Sequence, residues 1–326
     1  MRRLVADIGG TNARFAVTAG PAAAAEGTGT AGLLAHSRSL RVRDYPGLAE
    51  AAAAYLAGHP GGPPTLDEAV IAVATPVDAE VIRFTNSPWH FTRPELQAAL
   101  GVERLAVIND FAAQAAAIPC LGSDDSLALG AGEALSGWPI AVIGPGTGLG
   151  AAGLVPGPDG WIVVASEAGH VSFAPHDALE IEILHRLLTR FAHVSNERLI
   201  SGPGLVTLTR TMAEITGRPF SGETPEDISR AAEEGTSELA IEALGVFSGL
   251  LGGAAGDLAL AFGAKGGVYI CGGLCAGLGR FFDPVAFRAR FEAKGRLGGF
   301  LASIPCRLVT TPETGLIGAA AYRLRA

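Results

Sequence analysis

The segment Asp7-Ile8-Gly9-Gly10-Thr11-Asn12-Ala13-Arg14 sits between two apolar runs and combines a carboxylate, a hydroxyl, an amide and a guanidinium around a glycine pair. Gly9 and Gly10 let the backbone take positive φ and let a polyanion approach the amide N–H groups, while Thr11 and Asn12 offer donors to its oxygens. Asp7 leaves the end of a buried strand and would repel a phosphate unless a cation lay between them, so the pattern implies a water-bridged Mg2+. An ordinary β-hairpin is the alternative, because Gly-Gly between apolar strands is a common hairpin signal. A second strand-turn-strand segment weighs against it: Ile140 to Leu154, with Gly144, Gly146, Thr147, Gly148 and Gly150 in its turn. Its glycine spacing differs from the dinucleotide fingerprint, and the chain has no Gly-Lys-Ser/Thr of a Walker loop. Two such turns imply an internally duplicated design in which each half supplies one phosphate-binding turn.

Between and beyond the turns lie polar clusters at the ends of apolar strands. Leu105 to Ile108 ends on Asn109-Asp110 and enters a helix at once. Polar groups at the carboxyl end of a strand in an α/β sheet sit where ligands bind, although either residue also serves as a helix N-cap. Ser166-Glu167-Ala168-Gly169-His170 follows the strand at Trp161, and Asn196-Glu197-Arg198 precedes Ser201-Gly202-Pro203-Gly204. Glu167, His170 and Glu197 admit three readings: a metal site, a catalytic triad, or acceptors for a polyhydroxylated ligand. The metal reading is the weaker one, since these groups lack helical His-x3-His spacing. Cys271-x3-Cys275 has tolerable zinc spacing but no second Cys/His pair nearby, and zinc needs four ligands.

The elements that must position these groups follow from periodicity. Strands are expected at 3–8, 12–18, 69–74, 80–84, 104–108, 139–143, 150–155, 161–166 and 267–271. Helices are expected at 46–57, 92–100, 110–117, 177–191, 203–216, 225–234, 237–262, 284–293 and 315–324. Thr92 with Glu95 forms a capping-box signature, and Ser201 with Pro203 marks another helix start. The alternation is that of an α/β protein with a smaller, strand-rich part first and a helix-rich part after it. A length of 326 residues suits two domains, and 48% hydrophobic content suits compact cores. The net charge of −8 argues against a general nucleic-acid binder. The window Ala243 to Gly256 is too short for a membrane span and reads as a buried helix, with Gly245, Gly249 and Gly253 forming a small face for close helix approach. Four scattered cysteines argue for a cytoplasmic protein without a disulfide framework. The Ala/Gly-rich stretch from Ala19 to Ala35 reads as a hairpin tip or surface loop. Strand-like residues from Leu4, with an acid at position 7, do not make a secretory leader.

From Leu4 to Tyr322 the ordered motifs resemble the bacterial ATP-dependent glucokinases, of the hexokinase group within the actin-like ATPase superfamily. Matching segments are Asp7 to Arg14, Thr85-Asn86, Ile108 to Phe111, Gly144 to Gly150, Glu167 to Val171, Glu197-Arg198 with Ser201-Gly202, Cys271 to Leu274 and Glu313 to Leu316. The resemblance implies an α/β, two-domain actin-like (ribonuclease-H-like) sugar kinase fold around an interdomain cleft. Residues 1–110 and a returning C-terminal helix at 311–326 would form the small domain, and residues 111–310 the large one. It implies Asp110 as catalytic base, with Asn109, Asp110, Glu167, His170 and Glu197 holding the sugar. ATP would lie against Ala6, Asp7, Ile8, Gly9, Gly10, Thr11, Asn12 and Arg14. Gly144, Gly146, Thr147, Gly148 and Gly150, with the turn Gly272-Gly273, would complete its site, and Mg2+ would lie by Asp7. The implied reaction is D-glucose plus MgATP giving glucose 6-phosphate plus MgADP. The implied setting is a cytoplasmic homodimer with no nucleic-acid or membrane partner.

One departure is Ser166-Glu167-Ala168, where the family more often has Gly-Glu-Gly. The zinc-containing branch of sugar kinases and repressors shares the phosphate loop, but its Cys-x-Cys-Gly-x2-Gly-Cys cluster is missing after His170. A kinase for another hexose, a non-catalytic nucleotide-and-sugar sensor, and an ATPase of the chaperone or filament type are the other readings. A sensor has no use for a base at Asp110, and the last has no use for the Glu167, His170 and Glu197 acceptors.

Overall fold

The computed structural model describes residues 2–19, 33–84 and 87–324. In chain order the elements are β1 (Arg3–Ile8), β2 (Asn12–Thr18), β3 (Ala35–Arg41), α1 (Leu48–Ala57), β4 (Glu68–Val73), β5 (Val81–Arg83), β6 (His90–Thr92), α2 (Arg93–Leu100), β7 (Arg104–Asn109) and α3 (Asp110–Ala117). There follow β8 (Ser126–Ala128), β9 (Ile140–Pro145), β10 (Leu149–Gly157), β11 (Gly160–Ser166), α4 (Ala178–Leu188), α5 (Gly202–Thr216), α6 (Pro225–Glu233) and α7 (Glu238–Phe262). The last are β12 (Val268–Ile270), α8 (Gly273–Leu278), α9 (Pro284–Glu292), α10 (Gly298–Ala302), β13 (Cys306–Val309) and α11 (Thr314–Ala321). Every expected strand and helix is present, with bounds within three residues at either end. The strands β3, β6, β8 and β13 and the short helices α8 and α10 were not expected. Of the stretch 19–35, residues 20–32 lie outside the described residues, and its last residue opens β3 rather than belonging to a loop.

The chain divides into two units, Met1–Ser126 with Thr311–Ala326, and Leu127–Thr310. The first runs sixteen residues past the expected boundary at 110, because α3 packs on α11: a Cβ on Gly318 would overlap the Ala113 carbonyl oxygen. Its sheet has the order β3-β2-β1-β4-β7, antiparallel from β3 to β1 and parallel from β1 to β7. Alternation along β1 sends Leu4, Ala6 and Ile8 into a core with Leu48, Tyr55 and Leu96 of α1 and α2. Arg3, Val5 and Asp7 take the opposite face, toward α11. There Arg3 is 1% exposed, pairs with Glu68 at 2.6 Å, and donates to the carbonyls of Ala320 at 2.8 Å and Tyr322 at 2.6 Å. Those carbonyls terminate α11, which stops at Ala321.

The second unit repeats the pattern. Its sheet order is β11-β10-β9-β12-β13-β8, antiparallel from β11 to β9 and parallel from β9 to β13. β9 and β10 thus occupy the places that β1 and β2 hold in the first unit, each pair joined by a glycine turn. Beneath the sheet lies α7, long and apolar enough to span a membrane by length and composition, yet with 72% of its most apolar window buried in the unit. The close-approach face differs from the expected Gly245, Gly249 and Gly253. A Cβ on Gly252 would overlap the Phe287 carbonyl and one on Gly256 would come 2.7 Å from the Phe291 carbonyl, whereas Gly245 faces open space. The stripe follows α9, which crosses α7 on that side.

Gly318→Ala should lower unfolding free energy by about 1–3 kcal/mol or more, since α3 and α11 must separate to admit the methyl group. Urea unfolding followed by circular dichroism measures it, and an unchanged midpoint would show that the helices are not in fixed contact.

Candidate active site

In the first unit β1 and β2 place Asp7 directly opposite Arg14, and Arg14 Nη1 lies 3.3 Å from Asp7 Oδ2. The turn is closed by Gly9 N–H donating to the Asn12 carbonyl at 2.9 Å and anchored by Val42 N–H on the Thr11 carbonyl at 3.0 Å. Contrary to the expectation of positive φ, neither Gly9 nor Gly10 is left-handed, nor are Gly144, Gly146, Gly148 and Gly150. What glycine contributes in these turns is the absent Cβ. Asp7 also lies against the start of α11, where a Cβ on Gly315 would come 2.8 Å from Asp7 Cγ. Burial pushes the Asp7 carboxyl above the ordinary carboxylate range, against the pull of Arg14, and Glu313 adds to the rise. A carboxylate so placed fits a cation, and no cluster of three His, Cys, Asp or Glu ligands occurs among the described residues. A cation there would rest on Asp7, water and phosphate oxygens, as Mg2+ commonly does.

Across the same sheet, Ile8, Val73 and Asn109 are successive partners on β1, β4 and β7. The first turn and the Asn109-Asp110 pair therefore leave one sheet edge, two strand spacings or about 10 Å apart. Asn109 is the N-cap of α3, its Oδ1 accepting from Phe111 N–H at 2.8 Å, and Asp110 Oδ1 accepts from the same N–H at 2.9 Å. Both capping and a strand-end position hold at once, and the Asn109 amide group is left as the donor it can present. Thr85-Asn86 lies outside the described residues.

In the second unit the turn between β9 and β10 is closed by Gly146 N–H on the Gly148 carbonyl at 2.8 Å. A Cβ on Gly146 would meet nothing within 4 Å, so the backbone there is open to a ligand, and Thr147 is exposed. Gly272, at φ +86°, brings the Cys271-Gly272-Gly273 turn onto the end of β9, where a Cβ would come 2.8 Å from the Pro145 carbonyl. Burial pushes the Cys271 and Cys275 thiols up to about 12. After β11, Glu167 precedes a single helical turn that ends on His170, and both are exposed. Gly169 between them packs under β10, since a Cβ there would overlap the Leu149 carbonyl. Glu197 joins this group: its Oε1 lies 3.9 Å from His170 Nδ1, and its Oε2 accepts from Leu149 N–H at 2.9 Å.

The expected site residues thus form two groups, one in each unit. Ala6 to Arg14, Asn109 and Asp110 belong to the first; Gly144 to Gly150, Glu167, His170, Glu197, Gly272 and Gly273 belong to the second. Gly315, Gly169 and the Leu149 amide were given no role by sequence reasoning. Gly315 and Gly169 lie inside motifs already singled out, whereas a backbone N–H leaves no trace in a sequence.

The family model described as Glucokinase matches residues 4–326. A glucokinase from Paramagnetospirillum magneticum is 43% identical to this chain over 97% of it and 96% of the relative. Another from Aromatoleum aromaticum is 42% identical over 98% of this chain and 93% of its own. The crystal structure of a glucokinase from an Antarctic psychrotroph superposes with a TM-score of 0.86 at 38% identity, covering 98% of each chain.

The open backbone over Gly146 generates a test. Gly146→Val should weaken nucleotide binding roughly 10- to 150-fold, the worth of a charge-assisted hydrogen bond to phosphate. Calorimetric titration with ADP measures it, and wild-type affinity would reduce the second turn to a plain hairpin.

Proposed function

The chain belongs to the glucokinase family and is an ATP-dependent glucose kinase of the two-domain actin-like sugar kinase fold, and we propose that it works through the two groups of residues described above. Asp110 accepts the proton of the glucose 6-hydroxyl as that oxygen attacks the γ-phosphorus and the bond to ADP breaks. Asn109 donates its amide to the sugar, while Glu167, His170 and Glu197 accept from the remaining hydroxyls. The Gly9–Thr11 and Gly144–Gly150 turns cradle the phosphates, with Gly272-Gly273 on the adenosine side. Asp7 would hold Mg2+ through water, and Mg2+ when bound would offset charge on the phosphates. Phosphoryl transfer leaves little covalent work for the protein, so positioning of these groups accounts for most of the rate.

What supports this reading above all is the strand register: Asp110 and the first phosphate turn follow the carboxyl ends of the parallel strands β7 and β1, the edge at which α/β proteins bind ligands. The free, buried cysteines support a cytoplasmic setting, the family resemblance a glycolytic one, and the net charge supports small-molecule substrates in place of nucleic acid. The absence of a membrane partner and the homodimeric state follow the family resemblance.

Asp110→Asn keeps an oxygen for Phe111 N–H and loses the base. Turnover should fall at least roughly 10²-fold with glucose affinity little changed. A variant retaining more than about a tenth of wild-type turnover in a coupled ADP assay would remove Asp110 from the role of base.

Glucose-dependent ADP formation should require Mg2+ and persist with zinc-selective chelators. Activity lost on zinc removal and restored by zinc would instead align the protein with the zinc-containing branch.

A further inference from the structure

Glu197 touches both halves of the second unit's chemistry. Its Oε2 is occupied by the Leu149 N–H, the first amide after the phosphate turn, and lies over Gly148 so closely that a Cβ there would be 2.6 Å away. Its Oε1 faces His170. The segment that carries it is fastened to the same turn, with Gly202 N–H donating to the Gly146 carbonyl at 2.8 Å and Ser201 Oγ–H to the Glu197 carbonyl at 2.9 Å. Gly169, beside His170, packs on the Leu149 carbonyl, so both faces of that residue's backbone answer to the sugar-side cluster.

We propose that Glu197 is a positioning residue for the phosphate turn as well as a sugar acceptor, so that sugar and nucleotide are coupled through one carboxylate inside this unit. The inference rests on the sugar-pocket reading above. A sugar hydroxyl on Oε1 fixes the plane of the carboxylate, which fixes Oε2 against Leu149 N–H and holds the turn in the form that meets phosphate. Linkage then requires the reverse: a nucleotide that orders the turn presents Oε1 to the sugar.

Gly148→Ala tests this from the nucleotide side. The atom it displaces is the tip of a flexible side chain, so the fold survives while the carboxylate moves. Titrated calorimetrically with glucose and no nucleotide, the full chain carrying Gly148→Ala should lose about fivefold or more in affinity, the worth of one hydrogen bond. Gly146→Ala, which meets open space, should stay within about twofold, well below that worth. From the sugar side, Glu197→Ala should lower ADP affinity by a similar factor with no glucose present, whereas Glu167→Gln should lower glucose affinity alone. Wild-type glucose affinity in Gly148→Ala overturns the coupling and leaves the pocket standing; wild-type glucose affinity in both Glu167→Gln and Glu197→Ala removes the pocket itself. If Gly148→Ala fails to fold, Glu197→Ala decides, because unchanged ADP affinity there overturns the coupling. A purely structural Glu197 would lower the melting temperature and leave ADP affinity intact.

Discussion

One strand holds the last helix by charge at both of its ends. Arg3 and Asp7 lie four residues apart on the same face of β1, Arg3 on the carbonyls that end α11 and Asp7 against its first turn. A cation at a helix C-terminus and an anion at its N-terminus both match the helix dipole. The burial that this requires is unfavourable to each charge: it lowers the Arg3 pKa despite Glu68 and raises that of Asp7 despite Arg14. For Arg3 the bonds to Glu68 and three carbonyls compensate, and removing one partner of such a buried pair costs about 3–5 kcal/mol. Asp7 has one basic neighbour at 3.3 Å and remains destabilised as an anion. The fold thereby keeps a carboxylate that gains from a nearby cation at the place where the first phosphate turn begins.

The two units solve the same problem with one topology. In each, three antiparallel strands followed by parallel ones deliver a glycine turn to the edge where the parallel strands end. They differ in what supports the turn. In the first unit a helix N-terminus and an ion pair stand behind it; in the second, a hydrogen bond accepted by Glu197 and one donated by Gly202 do so. Neither turn uses left-handed glycine, so the glycines matter as missing side chains, through which backbone, carboxylate and ligand come within contact of one another.

Both turns and most strands and helices were legible because their signals are local: apolar period, glycine turn, N-cap. The candidate base was legible for the same reason, as a polar pair at a strand end. β3 was missed because its sequence, Ala-His-Ser-Arg-Ser-Leu-Arg, is mostly polar and exposed at a sheet edge, so no apolar alternation marks it. β12, only three residues long, was found through its apolar run, while β13 at its side, interrupted by Arg307, was not. The glycine stripe on α7 was misplaced because helical spacing identifies a candidate face and only α9 determines which face is used. The tie from Glu197 to Leu149 spans 48 residues and ends on a backbone amide, so no pattern of side chains could have revealed it.

The discontinuity of the first unit sets an order of events during synthesis. Residues 127–310 are contiguous and contain every element of the second unit's core, whereas the first unit draws on Thr311 onward. On the ribosome, where domains tend to fold as units, the later-made unit is the first to have all its parts. Until α11 emerges, Arg3 and Glu68 have no helix end to meet, and Val5 on that face of β1 lacks the cover that α11 supplies. A nascent chain of this protein therefore carries that part of the sheet face without its last helix until the end of its translation.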